Sequence, residues 1–366
     1  MTIAEGTSRR LITSSALPPP PVVARIPLGI GGLGAALPPT RITNDYLAAQ
    51  VETSDQWIVE RTGIRERRVL AEGLATSDLA IAAARAALAD ADMDAGDVDT
   101  LVVATCTPDQ PLPSVASFVA RELGLRVAAF DLNAACSGWV YGLVNAASMM
   151  TAMGGRASLL IGAEVLSRWM DPADRTTLPL FGDGAAAAVL VPGSGASGPG
   201  LLSWDLGVDG DAADLLRVPA GGSRFPATPE NIAAGGHYMK MQGQEVFRRA
   251  VRTVEASCRT VLDAARVDPS EVVLFVPHQA NARIVDALLP RIGVPATKTM
   301  MNIERYGNTS AASIPLALCE AAAAGRLADG DLVLLAGFGA GMTWATALLR
   351  WGYGGAGPAP ATSVTR

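Results

Sequence analysis

The sequence predicts an α/β protein built as five layers, in the order helix, sheet, helix, sheet, helix. Apolar strand-like runs alternate with helix-like segments along the chain, which is typical of this class. The order strand, helix, apolar helix, strand occurs once in each half, which indicates a duplicated unit. Each half also has one helix that is apolar or small on nearly all sides, and such a helix is expected between two sheets. A single doubly wound domain is the alternative, and it explains the duplication less well.

The elements of the first half follow from short apolar runs and from helix signals. Apolar runs bounded by turns predict buried strands that pair mainly in parallel. These strands cover residues 99–109, 126–136, 156–167 and 181–192. A helix is predicted over residues 113–125 with Ser114 as its N-cap, and the first apolar helix covers residues 137–155, where glycines end it.

The second half shows the same order. Residues 271–280 predict a strand and turn, and residues 281–293 predict a helix. The second apolar helix covers residues 308–325 and again ends in glycine, and residues 331–351 predict a strand, a glycine turn and a final strand. The second half therefore supplies its own strands and its own apolar helix.

Composition changes mark the predicted domain boundaries. We predict an N-terminal half over residues 26–195 and a C-terminal half over residues 196–352. The proline-rich residues 1–25 and the last residues 353–366 are predicted to be flexible tails. Residues 203–247 are rich in Gly, Pro and Asp and predict a loop region of the kind that often carries binding residues.

Charge and composition exclude several classes of protein. The chain has 366 residues, 49% of them hydrophobic, and a net charge of −6, which argues against general nucleic-acid binding. The sequence contains no apolar run of 18 residues, so no membrane span is expected. Its four cysteines have no close pairing and predict no disulfide framework, so a reduced, cytoplasmic setting is expected.

Cys136 lies in the segment "AACSG", where a predicted strand gives way to the first apolar helix. A thiol at a helix N-terminus lies near the positive end of the helix dipole, which favours the thiolate. A thiolate is a strong nucleophile, so Cys136 is a candidate for covalent catalysis. The other three cysteines are expected to be small buried side chains.

His278 and Asn308 lie at corresponding places in the second half. His278 follows a predicted strand in "FVPHQANARI", and taken alone it is more typical of a hydrogen-bonded structural histidine. Asn308 precedes the second apolar helix in "RYGNTSAAS", and taken alone it is more typical of a helix cap. Internal symmetry would place the turns at Cys136 and Asn308 close together, so the three residues are predicted to share one site.

The segments "AACSG", "PHQAN" and "YGNTSAAS" together resemble the β-ketoacyl-acyl carrier protein synthase III family of condensing enzymes. Further matches are "TSDQWIVERTGIRERR", "DPADR", "FGDGAAAAVL", "HYMKMQGQEVFRRAV" and "GFGAGMTWATALLRW". The resemblance extends over about residues 26–352, with the motifs in family order. It implies the thiolase fold, duplicated halves in five layers and a homodimer.

The resemblance also implies a mechanism. Cys136 would take an acyl group from acyl-CoA, and His278 and Asn308 would stabilise the enolate formed when malonyl-acyl carrier protein loses carbon dioxide. The new carbon–carbon bond would give a β-ketoacyl product. Backbone N–H groups of Cys136 and Ala340 would form the oxyanion hole, although related enzymes have glycine at the position of Ala340. No cofactor and no metal are expected, since acyl-CoA and the carrier protein act as substrates.

Further positions match binding residues of the family. Those that would hold CoA are Trp57, Arg61, Arg175 and Asn281, and those that would dock the acyl carrier protein are Arg248, Arg283 and Arg291. Leu112 matches the position that reaches across the dimer interface into the acyl pocket of the partner subunit. A packed tryptophan, surface ion pairs and a leucine that merely packs an interface are the alternatives.

Three other functions compete with fatty acid initiation. The enzyme could prime a polyketide or another specialised pathway, or it could transfer an acyl group to oxygen or nitrogen without condensation. Relatives of the second kind often lose the cysteine or the His–Asn pair, whereas this chain keeps all three residues. A cysteine hydrolase would need no carrier partner, and the basic docking surface argues against it. Beyond these three, a non-catalytic binding protein is the least favoured, because the Cys–His–Asn set is complete.

Overall fold

The computed structural model describes residues 25–195 and 197–365. The strands are β1 Ile26–Leu37, β2 Arg41–Thr43, β3 Glu66–Arg68, β4 Thr100–Ala104, β5 Ala128–Leu132, β6 Ser158–Val165, β7 Asp183–Pro192, β8 Gly200–Val208, β9 Leu216–Arg217, β10 Lys240–Met241, β11 Val272–Pro277, β12 Leu332–Gly339, β13 Thr343–Arg350 and β14 Thr362–Ser363. The helices are α1 Asn44–Ala48, α2 Asp55–Thr62, α3 Thr76–Asp90, α4 Val115–Leu123, α5 Gly138–Met153, α6 Pro229–Ala233, α7 Gly243–Ala265, α8 Ala282–Ile292, α9 Ile303–Tyr306 and α10 Ser313–Ala323.

The large sheet has the strand order β11-β12-β13-β8-β1-β7-β6-β4-β5. Its two parts join where Ile26 and Pro27 of β1 pair with Leu201 and Gly200 of β8. The prediction of mainly parallel pairing is wrong, because β7 runs antiparallel to β1 and β6, and β13 runs antiparallel to β12 and β8. A short turn joins β12 to β13, and strands joined in this way must be antiparallel.

Three buried clusters define the layers. The central cluster contains Trp139 and Leu143 of α5 and Ile314 and Leu318 of α10, packed against strands of both parts of the sheet. Helices α3 and α4 cover the outer face of one part, and α7 and α8 cover the outer face of the other. This arrangement confirms the prediction of five layers. The division into halves at residue 195 stays a prediction.

The two apolar helices differ in how completely they are buried. The first seven residues of α10, Ser313 to Cys319, are all buried. On α5, by contrast, Asn145 and Ser148 are exposed and Tyr141 is half-buried, at helical spacing along one side. Burial on all sides was therefore predicted correctly for α10 and wrongly for α5. We call this exposed line of residues the α5 stripe.

The segments that lead into α5 and α10 have matching conformations. We call residues 133–138 the first-half turn and residues 308–313 the second-half turn. Ala135 and Ser310 adopt positive φ angles of 47° and 46° at the same place in each turn. In each, an asparagine Oδ1 accepts a hydrogen bond from the N–H of that residue, Asn133 at 3.2 Å and Asn308 at 2.8 Å. In this correspondence, Cys136 of the first-half turn occupies the position that Ala311 occupies in the second-half turn.

Residues 353–365, which we call the C-terminal strap, were predicted to be flexible, and this prediction is wrong. The N–H of Gly357 donates to Asp90 Oδ1 at 3.0 Å, and Tyr353 also hydrogen-bonds Asp90. Strand β8 pairs only with the first residues of β1, Ile26 and Pro27. Strand β14 pairs in parallel with the last two residues of β1. Backbone pairing fixes a segment whose composition alone indicates a loop. The predicted N-terminal tail lies outside the described residues up to residue 24.

Candidate active site

The structure brings Cys136, His278 and Asn308 together around one cavity of ≈ 700 Å³. Their exposed fractions are 7%, 3% and 5%, so all three are buried. Phe338 and Gly339, at the end of β12, also line the cavity. A thiol, an imidazole and an amide from three separate parts of the chain therefore face the same space.

Glycines at the end of β12 allow the backbone of Cys136 to approach that strand. A Cβ atom added at Gly339 would lie 2.6 Å from the N of Cys136, and one added at Gly337 would lie 3.3 Å from its carbonyl oxygen. The first-half turn and strand β12, which leads to Ala340, thus pack backbone against backbone. A side chain at Gly339 would push them apart.

The thiol of Cys136 is neutral in the resting structure. Burial raises its pKa to about 12, and the interaction with the Ser310 side chain only partly offsets this rise. The thiolate expected from the helix start is therefore not the resting form, because desolvation outweighs the local dipole. Any nucleophilic attack by this sulfur would therefore require the loss of the proton on Sγ.

His278 follows β11, and its backbone N–H donates to the backbone oxygen of Ala336 in β12 at 2.8 Å. Its Nδ1 lies 2.7 Å from Ser313 Oγ, whereas its Nε2 is buried and has no hydrogen-bond partner among the residues that the structure describes. Burial lowers the pKa of His278 to about 3, so the imidazole is neutral at physiological pH. Its ring meets the edge of Phe338 at a centroid distance of 5.5 Å.

Asn308 is fixed by its backbone and by one end of its side chain. Its N–H donates to Leu180 O at 2.8 Å, and its carbonyl accepts from the N–H of Gly182 at 3.0 Å. The side-chain Oδ1 accepts from the N–H of Ser310, so Asn308 does cap its turn. Since Oδ1 accepts a hydrogen bond within the turn, Nδ2 is the end of the amide that can donate a hydrogen bond to a ligand in the cavity. The capping role and the site role are thus compatible.

A second cavity of ≈ 520 Å³ lies on the other side of Cys136. Ala340 and Gly341, in the turn between β12 and β13, line it. The positive φ in this turn belongs to Gly341, at 126°, and not to Ala340. Alanine is therefore compatible with the backbone at position 340. Apolar side chains form much of the wall, namely Leu166, Trp169, Phe181, Leu216, Val218 and Met239.

The predicted CoA residues gather at the first cavity. The guanidinium carbons of Arg61 and Arg175 lie 4.7 Å and 4.9 Å from the ring centroid of Trp57. Trp57, Arg61 and Asn281 line the cavity, and Arg175 joins them through its contact with Trp57. Asn281 also caps α8, because its Oδ1 accepts from the N–H of Arg283 at 2.9 Å. An aromatic ring with two cations suits an anionic ligand with a flat base.

The other predicted residues lie at different distances from this cavity. Arg248 and Arg283 line it, and the side chain of Arg248 is 70% exposed. Arg291 is not among the lining residues and pairs with Glu255 at 3.0 Å. Leu112 is 83% exposed and borders a separate surface recess rather than either cavity at Cys136. The described chain therefore does not place Leu112 in its own site.

Sequence reasoning missed two buried polar groups beside the site. Glu164 of β6 is fully buried and accepts hydrogen bonds from Thr107 Oγ1 at 2.6 Å and from Ser310 Oγ at 3.0 Å. Burial raises the pKa of Glu164. A glutamate inside the apolar run "SLLIGAEV" was the available signal for this residue. The other group is Ser313, whose contact with His278 has no signal in the sequence beyond a helix start.

Two features are absent from the described residues, 25–195 and 197–365, namely a metal-binding cluster and a membrane-spanning helix. These residues contain no group of three or more His, Cys, Asp or Glu side chains placed to hold a metal ion. In the same part of the chain, no helix combines the length and the apolar character that crossing a membrane requires.

Comparisons with known proteins agree with this geometry. The family profile described as 3-oxoacyl-[acyl-carrier-protein (ACP)] synthase III matches residues 130–210, and its C-terminal counterpart matches residues 262–351. The β-ketoacyl-[acyl-carrier-protein] synthase III of Roseiflexus castenholzii is 50% identical over 326 residues, which cover 89% of this chain and 98% of that protein. The chain belongs to the β-ketoacyl-acyl carrier protein synthase III family.

Solved structures of synthase III enzymes extend the comparison. The 3-oxoacyl-[acyl-carrier-protein] synthase III of Aquifex aeolicus is 41% identical, with a TM-score of 0.81 over 88% of this chain and 100% of that chain. The priming β-ketosynthase of the R1128 polyketide biosynthetic pathway is 35% identical, with a TM-score of 0.81 over 89% of this chain and 97% of that chain. The thiolase fold predicted from the resemblance is confirmed, and the protein is an acyltransferase of the condensing type.

Proposed function

We propose that this synthase III initiates acyl chains in two steps at Cys136. An acyl group passes from acyl-CoA to the thiol, and malonyl-acyl carrier protein then condenses with it to give β-ketoacyl-acyl carrier protein. The observation that carries the proposal is the meeting of Cys136, His278 and Asn308 at one buried cavity. A cysteine hydrolase would need neither a second donor pair nor a binding surface for a carrier.

In the loading step, Sγ of Cys136 attacks the thioester carbonyl of acyl-CoA and loses its proton. The carbonyl oxygen becomes negative, and the N–H groups of Cys136 and Ala340 are the proposed donors to it. The carbon–sulfur bond to CoA then breaks, and the CoA sulfur takes up a proton. The close packing of Gly339 on the N of Cys136 supports this role, because it brings the two donors near each other.

In the condensing step, the bond between the malonyl α-carbon and its carboxylate breaks, and its electrons form an enolate. His278 Nε2 and Asn308 Nδ2 are the proposed donors to the enolate oxygen. Both groups are buried, so their hydrogen bonds are stronger than they would be in water. The enolate carbon attacks the acyl carbonyl on Cys136, and the sulfur leaves and is reprotonated.

The surface of the first cavity supports the choice of substrates. Trp57, Arg61 and Arg175 would bind the adenine and phosphates of CoA through stacking and charge. Arg248 and Arg283 lie on the same cavity and offer cations to an acidic carrier protein. Arg291 does not line this cavity, so we assign it at most a minor share in docking.

A homodimer is part of the proposal. Strand β5 forms the edge of the large sheet, and its residues are only partly buried. The α5 stripe and the 83% exposed Leu112 are also open in the single chain. A partner subunit would cover these surfaces and would bring its own Leu112 to the acyl cavity of this chain.

The apolar second cavity is the proposed chamber for the starter acyl chain. Leucine at position 112 leaves more room than an aromatic side chain would, and each buried methylene contributes about 0.8 kcal/mol. We therefore expect isobutyryl- and hexanoyl-CoA to be used at least as well as acetyl-CoA, and Leu112→Phe to restore a preference for acetyl-CoA. Measured kcat/KM values for the three substrates check this. A strict acetyl preference in both proteins would refute it.

The overall activity is tested by product mass. The enzyme is mixed with acyl-CoA and malonyl-acyl carrier protein, and the carrier is weighed by mass spectrometry. We expect the carrier to gain the acyl group and lose carbon dioxide, and we expect Cys136→Ala to yield no such product. Transfer of the acyl group to an oxygen or nitrogen acceptor without release of carbon dioxide would support the rival acyltransferase.

A further inference from the structure

Ser313 lies at the start of α10, directly behind the imidazole of His278. Its Oγ lies 2.7 Å from His278 Nδ1 and 2.8 Å from Ser310 O, and the serine is 1% exposed. A hydroxyl group has a single proton, so it can donate to one of these two acceptors at a time. The direction of this hydrogen bond decides which nitrogen of His278 carries the imidazole proton.

The proposed chemistry requires one of the two tautomers. Because His278 is neutral, either Nδ1 or Nε2 carries its proton. The enolate oxygen needs a donor at Nε2, which is the buried ring nitrogen that no described residue hydrogen-bonds. If Nδ1 carried the proton instead, Nε2 would direct a lone pair at a developing negative charge. The working tautomer therefore has its proton on Nε2 and an acceptor at Nδ1.

Ser310 O does not depend on the Ser313 hydroxyl. It already accepts a hydrogen bond from the backbone N–H of Ser313. The N–H of Gln279 also points to Ser313 Oγ at 3.5 Å, which leaves the hydroxyl proton free to be directed elsewhere. Turning this proton to Nδ1 therefore leaves no buried carbonyl without a donor.

We propose that Ser313 is a positioning residue that donates its hydroxyl proton to His278 Nδ1 and so holds the Nε2–H tautomer. This inference rests on the proposed donor role of His278 in condensation. It assigns to Ser313 a part in the reaction that its place at a helix start does not indicate.

A neutral partner suits this role better than a carboxylate would. A carboxylate at Nδ1 would accept a proton from the ring and favour the charged imidazolium. The lowered pKa of His278 has burial as its cause, with no charged neighbour contributing. The serine hydroxyl fixes the tautomer without adding charge, so the imidazole remains a neutral donor throughout the condensing step.

Ser313→Ala tests the proposal through the two half-reactions. We expect malonyl decarboxylation to fall roughly 10- to 100-fold, as for loss of a preorganised donor, while acylation of Cys136 changes by less than about threefold. Ser313→Thr keeps the hydroxyl and should recover most of the decarboxylation rate. Ser257→Ala is the matched control, since Ser257 is equally buried but bonds Thr346 Oγ1 in another part of the core.

The tautomer can be observed directly, because the chain has only two histidines. Protein labelled with ¹⁵N-histidine gives two sets of ring signals, and His237→Gln identifies those of His278. We expect the wild type to show the Nε2–H tautomer and Ser313→Ala to shift toward Nδ1–H. This measurement on the wild type stands even if a variant fails to fold.

The outcomes separate the inference from the proposed function. An Nδ1–H tautomer in the wild type, or wild-type decarboxylation by Ser313→Ala, would overturn the role of Ser313. If His278→Ala itself decarboxylates normally, the proposed function of the site fails, and the inference fails with it. If His278→Ala is inactive and Ser313→Ala is not, only the inference fails.

Discussion

The first-half turn and the second-half turn share a backbone but differ in what their side chains do. Asn133 and Asn308 cap the turns in the same way, yet Asn133 is exposed and borders the second cavity, whereas Asn308 is buried and lines the first cavity. At the position of Cys136, the second-half turn has Ala311, whose side chain is only a methyl group. Ser313, which contacts His278, corresponds to Gly138. In the proposed site, the nucleophile Cys136 comes from the first-half turn and the side-chain donor Asn308 comes from the second-half turn.

This difference teaches that the geometry alone does not assign a role. Positive φ at Ala135 and at Ser310 fixes both helix starts, and neither residue is glycine. Only the second of these residues has a hydroxyl, and it donates to Glu164. Changes made at matching positions therefore separate what the shared backbone requires from what the chemistry requires.

The largest effect is expected at the position where the turns differ most. Cys136→Ala gives the first-half turn the side chain that Ala311 already has, so folding should persist while acyl transfer is lost. Incubation with radiolabelled acyl-CoA and peptide mapping should find the label on Cys136 in the wild type and none in the variant. Cys258→Ala, in α7, serves as the control and should be labelled normally. A label on Cys106, Cys258 or Cys319 with Cys136 clean would refute the assignment.

The two asparagines provide the next comparison. Asn308→Ala should lower malonyl decarboxylation about 100-fold or more, because it removes a donor to the enolate oxygen. Asn133→Ala removes the same cap from the matching turn and should lower it by no more than a few fold. Decarboxylation rates, measured by release of carbon dioxide, check both values. Equal losses in the two variants would mean that turn stability alone accounts for the effect of Asn308.

A smaller effect is expected where β12 packs on the first-half turn. Gly339→Ala would place a methyl group 2.6 Å from the N of Cys136 and 3.0 Å from Ala135 Cβ. The backbone donors should shift, and the acylation rate should fall on the order of 10-fold. Gly96→Ala is the control, because an added Cβ there meets nothing within 4 Å. Acylation of Gly339→Ala at the wild-type rate would show that the turn tolerates the displacement.

The smallest effect concerns stability at low pH. The pKa of His278 is about 3 in the folded protein and about 6.5 in the unfolded chain, so only the unfolded state gains this proton between those values. As pH falls from 6 to 5, the free energy of unfolding should drop by roughly 1 kcal/mol more in the wild type than in His278→Asn. Denaturant unfolding at the two pH values measures the difference. Identical pH slopes would mean that folded His278 takes up the proton as readily as the unfolded chain.

The sequence predicted the elements that packing and periodicity determine. Strands β4, β6 and β11 and helix α10 are apolar runs whose burial follows from composition. The prediction that Cys136, His278 and Asn308 share one site followed from motifs rather than from the local structure around each residue. Helix α5 misled the prediction of burial on all sides, since its polar residues are few and lie in one line.

Other features depend on contacts that a sequence does not display. The neutral state of Cys136 results from desolvation by distant residues, which outweighs the local effect of the helix start. Ser313 in "SAAS" is an ordinary helix-start serine until His278 is placed against it. The C-terminal strap has the Gly and Pro content of a loop, and its order comes from pairing with β1 and from hydrogen bonds to Asp90.

The C-terminal strap has a consequence for synthesis of the chain. Strand β1 is translated more than 300 positions before Thr362 and Ser363, which pair with its end at Ala36 and Leu37 and cover the strand edge there. An uncovered strand edge is a template for pairing with other chains. Until residues 353–365 have emerged from the ribosome, the nascent protein has to protect that edge by other means, and molecules cut short at residue 352 would carry it open permanently.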